Sequence, residues 1–75
     1  MILNVDILAA KNVHSILECN QFCYSHQETC KSFNAIPTDS NSFECQLLNV
    51  TKDSPGAEFI QRNGGKYYEV CTSDS

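Results

Sequence analysis

The sequence predicts an α+β domain in which one helix is stapled to a β-sheet. Three observations carry this reading. Five cysteines stand in 75 residues, at Cys19, Cys23, Cys30, Cys45 and Cys71. A capping-box pattern, Ser15-Ile16-Leu17-Glu18, opens the stretch that holds the first two. Runs of alternating apolar and polar residues lie on either side of that stretch. A chain this short buries only about 60–65% of the surface its unfolded form exposes, so its core is thin and needs staples.

The elements follow in order. Ile2 to Leu8 alternates, with Leu3, Val5 and Ile7 on one side, and reads as a half-buried strand with those three inward. Ala9 to His14 reads as a connection. Ser15 is expected to accept from the Glu18 amide while the Glu18 carboxylate returns to the Ser15 amide, starting a helix from Ile16 to about Ser25. Ile16, Cys19 and Cys23 then share one face. Cys30 to Ile36 is a second strand anchored by Phe33, and Pro37 to Asn41 breaks it as a hairpin loop would. In the third strand, Phe43 to Leu48, alternation puts Phe43, Cys45 and Leu47 on the inner face. Asn49 to Ala57 is a loop, and Phe59 to Arg62 a short strand. Asn63-Gly64-Gly65 is a tight hairpin turn, and Lys66 to Cys71 a closing strand. The module spans residues 1–71, and the polar Thr72 to Ser75 is a frayed tail.

Charge and composition exclude several classes. The net charge is −4, and the five basic residues, Lys11, Lys31, Lys52, Arg62 and Lys66, are scattered. Nucleic-acid binding needs a basic stripe that displaces counterions, and none is visible. No apolar run approaches the ~20 residues of a membrane-spanning helix. Cysteines at this density point to an oxidising, extracellular or lumenal compartment. Met1 to Asp6 lacks a basic leader, and Asn4 and Asp6 interrupt its apolar stretch. The domain is therefore expected to come from a longer precursor, with Met1 added for expression.

Spacing alone leaves the cysteine pairing open. At this point the residues resemble the PAN/apple family. The resemblance rests on the capped helix with Cys19 and Cys23, then Cys30 leading into Ser32-Phe33-Asn34. It continues through Cys45-Gln46-Leu47-Leu48-Asn49 to Phe59, Arg62, Gly65 and Tyr67-Tyr68. It covers the chain from about Val5 to Cys71. It implies a single helix packed on a curved antiparallel sheet of four to five strands, with Cys19 bonded to Cys45 and Cys23 to Cys30. Many members carry a third bridge between the chain ends. Its C-terminal half matches Cys71, but no cysteine precedes Cys19. Cys71 is therefore expected to be unpaired within this chain, or to form a disulfide with another chain.

Other chemistry in the sequence is weaker. Cys19, Cys23, His26 and Cys30 have the residue types of a Cys3His zinc set. The disulfide reading, with His26 exposed at a helix end, fits the cysteine density better. Nucleophilic catalysis needs a thiolate beside a base, and neither His14 nor His26 is aimed at Cys71. No enzyme activity, cofactor or metal is expected. Asn49-Val50-Thr51 is a glycosylation sequon in a loop. Tyr67, Tyr68, Phe59 and Phe22 are contact candidates, and Arg62, Lys66 and Tyr68 form the expected ligand patch. Tyr67 and Tyr68 point to opposite faces of their strand.

The function this implies is a non-catalytic extracellular recognition or adhesion module. Its ligand would be a protein or a glycan, and it would belong to a larger secreted or membrane-anchored protein. A small secreted inhibitor or toxin-like protein is the alternative.

Overall fold

The computed structural model describes residues 1–26, 28–39 and 41–70. Cys71 and the expected tail lie outside them. The helix α1 runs over Ile16–Tyr24. It is the one helix among the described residues and faces a single sheet, whose far side carries a short ribbon. The strands are β1 (Ile2–Asn4), β2 (Ala9–Val13), β3 (Ser32–Asp39), β4 (Ser42–Leu48), β5 (Glu58–Ile60) and β6 (Lys66–Glu69). β2-β4-β3-β6 form an antiparallel four-stranded sheet, and β1 pairs antiparallel with β5 in a separate two-stranded one. The α+β class and the single helix are as expected, but the strands divide between two sheets.

Helix α1 starts at Ser15, whose backbone is extended and whose Oγ accepts from the Glu18 amide at 3.2 Å. The return arm differs from the expected box. The Glu18 carboxylate accepts from the His14 amide at 2.6 Å, one residue earlier than Ser15. At the other end the Ser25 amide donates to the Gln21 carbonyl and the His26 amide to the Cys23 carbonyl, both at 2.9 Å. Replacing an N-cap serine by alanine removes one such bond at a cost of about 1 kcal/mol. Ser15→Ala is therefore expected to lower stability by that amount, read as a small drop in the urea midpoint. An unchanged midpoint would show that the Glu18–His14 arm alone fixes the helix start.

The inner face of α1 presents Cys19 and Cys23, both fully buried, with Ile16 half-buried beside them. They close on Val13 of β2, Phe33 of β3, and Cys45 and Leu47 of β4. Burying a side chain of the size of Val, Leu or Phe contributes about 1.5–3 kcal/mol. Two disulfides cross this layer. Cys19 joins Cys45 with the Cα atoms 5.5 Å apart, and Cys23 joins Cys30 at 5.4 Å. This is the pairing the resemblance implies.

The far face of the sheet combines buried Ile36 and Leu48 with three polar residues. Ser32, Asn34 and Gln46 are buried there. Asn34 Oδ1 accepts from the Leu3 amide at 3.0 Å, and its Nδ2 donates to the Leu3 carbonyl at 3.1 Å. The side chain of Asn34 thus pairs with the peptide of β1 as a neighbouring strand would. Nδ2 also donates to Gln46 Oε1 at 3.2 Å, and Gln46 Nε2 donates to Glu44 at 3.1 Å.

Three expectations about the chain's course are corrected. The first strand ends at Asn4, not Leu8. Ile2 and Leu3 are both buried, Val5 is half-buried, and Ile7 is 47% exposed. The alternation fails because β1 is covered on both sides: Leu3 meets Asn34, and Ile2 packs where a Cβ on Gly65 would lie 2.7 Å away. Next, Ala9–Val13 is not a connection but an edge strand, in register from Ala9 opposite Leu47 to Val13 opposite Phe43. Pairing with β4, rather than propensity, makes it a strand. Finally, Asn63-Gly64-Gly65 is a turn, with the Gly65 amide donating to Arg62 and Gly64 at φ +75°, but it does not close a hairpin. It carries the chain from β5 in one sheet to β6 in the other.

Pro37 sits inside β3 rather than beginning a loop. β6 pairs with β3 only from Ser32 to Ala35, so Pro37 lies beyond that partner, where its missing N–H costs no ladder bond on that side. Its ring packs against the Gly64 turn, where a Cβ on Gly64 would meet Pro37 Cγ at 2.9 Å.

Candidate recognition surface

The expected patch of Arg62, Lys66 and Tyr68 is set by β6. In register, Tyr68 stands opposite Phe33 and Lys66 opposite Ala35. Both therefore lie on the helix side of the sheet. The Tyr68 ring stacks on Phe33, with centroids 5.2 Å apart and planes 24° apart, and is half-buried. Tyr68 thus packs on the core while keeping part of its ring accessible. Lys66 is exposed beside it, and Arg62 is exposed in the turn that precedes β6. The residues share one end of the sheet, without a hydrogen bond or ion pair among them in the described residues.

Tyr67 turns to the far face and is also half-buried. Its ring meets Phe59 edge-on at 5.3 Å. Its hydroxyl accepts from the Lys52 amide at 3.0 Å and donates to the Glu69 carboxylate at 3.0 Å. Burial raises the phenol above its ordinary pKa, so it remains a donor at neutral pH. The Lys52 ammonium lies 3.4 Å from Glu69 and 3.8 Å from Asp53, and these two carboxylates raise its pKa. Tyr67 is thus a clamp that holds the β4–β5 loop to β6.

The helix carries a surface that the sequence reading did not single out. Leu17 and Tyr24 are 65% and 63% exposed. They are seven residues apart, two turns along the same side of α1, and turned away from Cys19 and Cys23. The signal was available: both positions fall off the cysteine stripe yet hold large apolar or aromatic side chains. Phe22, by contrast, is half-buried, with the Lys11 ammonium 5.1 Å from its ring centroid and His26 packed edge-on at 5.1 Å.

The Cys3His zinc reading is overturned. Cys19, Cys23 and Cys30 are all held in disulfides, so none is a thiolate able to bind metal. His26 is exposed, and its Nδ1 lies 3.0 Å from the Phe22 carbonyl and 3.1 Å from Ser25 Oγ. With its proton on Nδ1 it satisfies the last turn of the helix.

Among the described residues, concavities of about 310 Å³ lie at two places on the surface. One lies past the helix end among Ser25, His26, Glu28 and Thr29. The other lies between the segment after β1 and the β4–β5 loop, and includes Asp6 and Asn49. Asn49 is exposed in the bend that follows β4. No described helix is long and apolar enough to cross a membrane.

Among the described residues, one helix packed on an antiparallel sheet and held by two disulfides defines a small disulfide-stapled α+β module. More specifically, the chain belongs to the PAN domain family, whose model matches residues 2–72. Members are generally non-catalytic modules that bind proteins or carbohydrates within larger, typically extracellular proteins. Comparison with curated proteins and with solved structures gives no match.

Proposed function

We propose that this chain is a non-catalytic extracellular recognition module that holds a protein or carbohydrate ligand on the helix side of its sheet. The observation that carries this is the exposure of Leu17 and Tyr24 on a helix anchored through both Cys19 and Cys23. Large side chains on a fixed backbone lose little freedom on binding, and pre-organisation of this kind raises affinity. Lys66 and the accessible part of Tyr68 extend the surface at the β6 edge of the same side, and Arg62 stands exposed in the turn that leads into β6.

A glycan array and an affinity pull-down from extracellular extract, both with the immobilised domain, separate the two ligand classes. Once a ligand is in hand, Leu17→Ala with Tyr24→Ala, and Arg62→Ala with Lys66→Ala, are compared with the parent. Truncating an anchor residue of an interface costs about 2 kcal/mol or more, at least a tenfold loss. At least one pair is expected to show it, with folding unchanged by circular dichroism. Binding retained by both pairs would place the ligand on another face, and binding by neither array nor extract would remove the recognition reading.

A further inference from the structure

We infer that Asn49 carries an N-linked glycan and that this glycan's first sugar seats in the concavity beside it. The inference is independent of the recognition reading, and the failure of one leaves the other standing. Asn49-Val50-Thr51 has the acceptor pattern, with valine rather than proline in the middle. Three structural observations add to the motif. Asn49 is exposed at the bend after β4, and among the described residues its amide makes no hydrogen bond to the protein. The backbone around it is held in place: the Ser32 hydroxyl donates to the Val50 carbonyl, and Tyr67 clamps Lys52. Asn49 also lines the concavity of about 310 Å³ together with Asn4, Asp6, Ser54 and Gly56.

That concavity suits a sugar ring. Its rim offers an amide, a carboxylate and a hydroxyl, which match the hydroxyls and acetamido group of an N-acetylhexosamine. At Gly56, a Cβ would meet nothing within 4 Å, so this rim is open to a bulky neighbour. The covalent step is an ordinary group transfer. A polyprenyl-pyrophosphate-linked oligosaccharide supplies the sugar. The bond from Asn49 Nδ2 to the anomeric carbon forms, the anomeric C–O bond to the pyrophosphate breaks, and Nδ2 loses one proton. The lipid pyrophosphate is the leaving group. A glycan so placed covers the far side of the sheet and leaves the helix side open for a ligand.

The test is secretion of the full chain behind a cleavable leader from a glycosylating eukaryotic host, with intact mass measured before and after N-glycosidase digestion. The expected result is one glycan on the parent and on T51S, and none on N49Q or T51A. Secretion of the folded parent at its bare sequence mass overturns the site. Amide chemical shifts of glycosylated and bacterially produced protein then test the seating. Shifts spreading to residues 4–6 and 54–56 support it. Shifts confined to residues 49–51 overturn it, because the glycan would then project into solvent.

Discussion

Replacing Cys19 and Cys45 together by alanine is expected to lower stability by about 3–4 kcal/mol, and replacing Cys23 and Cys30 by about 2–3 kcal/mol. The difference comes from the unfolded chain. Cys19–Cys45 closes a loop with a sequence separation of 26, and Cys23–Cys30 one of 7. The longer cross-link removes more conformations from the unfolded ensemble. All four cysteines are at most 1% exposed, so the cavity left by losing the sulfurs is similar in the two cases. Native contacts push the same way. Cys45 lies at the centre of the sheet, on a strand flanked by β2 and β3, while Cys30 lies just past the helix end. With a urea dependence of about 1 kcal/mol per molar for a chain of this size, the midpoints are expected to fall by about 3–4 M and about 2–3 M. Equal shifts, or a larger one for the shorter loop, would show that native packing rather than loop closure sets the cost. Reducing both bridges removes about 6 kcal/mol on the same account. A domain of this length has about 4–11 kcal/mol in total, so reduction is expected to unfold it. A cooperative, unshifted melt in excess reductant would contradict this.

How far the sequence revealed this frame differs from element to element, for physical reasons. The helix was legible because its signals are local: Ser15 and Glu18 are three residues apart, and Cys19 and Cys23 one turn apart. β4 was legible because Phe43, Cys45 and Leu47 alternate with polar residues. β2 was not, because Ala9-Ala10-Lys11-Asn12-Val13 has a weak strand propensity and gains its conformation from β4, over thirty residues away. The extent of β1 was misread because alternation assumes one dry face, whereas Ile2 and Leu3 are both covered. The surface was the least legible part. Leu17 lies off the stripe of Ile16, Cys19 and Cys23, but an apolar side chain there is not by itself a sign of a binding surface until its 65% exposure is seen. Tyr67 and Tyr68 were rightly put on opposite faces, but both are half-buried, one in a polar clamp and one on Phe33.

Asn34 was part of the family-like Ser32-Phe33-Asn34 run, yet nothing local in the sequence revealed its partner, which is 31 positions earlier in the chain. Its removal is expected to have the second-largest effect. Asn34→Leu keeps the branched, four-atom side chain but leaves the Leu3 N–H and C=O and the Gln46 carbonyl oxygen without their partner. Leu3 is 2% exposed, so water cannot replace the lost bonds cheaply. Each buried unsatisfied group costs about 1–3 kcal/mol, so the two sealed Leu3 groups alone give a loss of about 2–6 kcal/mol. The loss should centre on β1 and β5, because Leu3 is the point where that ribbon is bonded to the sheet. Hydrogen exchange is expected to rise at residues 2–4 and 58–60 before it rises in β4. Asn34→Asp separates hydrogen bonding from volume. As an anion it still accepts from the Leu3 amide but faces the Leu3 carbonyl and Gln46 Oε1 with an acceptor where Asn34 has a donor. As a neutral acid its O–H can donate to one of them. Burial and these carbonyls therefore raise its folded pKa above the unfolded value of about 3.9. The folded state then holds its proton at pH values where the unfolded state has lost it. The variant is expected to be least stable above the raised pKa and to recover, relative to the parent, as pH falls through that value towards 3.9. A difference from the parent that stays constant with pH would show that the side chain at this position does not face the β1 backbone.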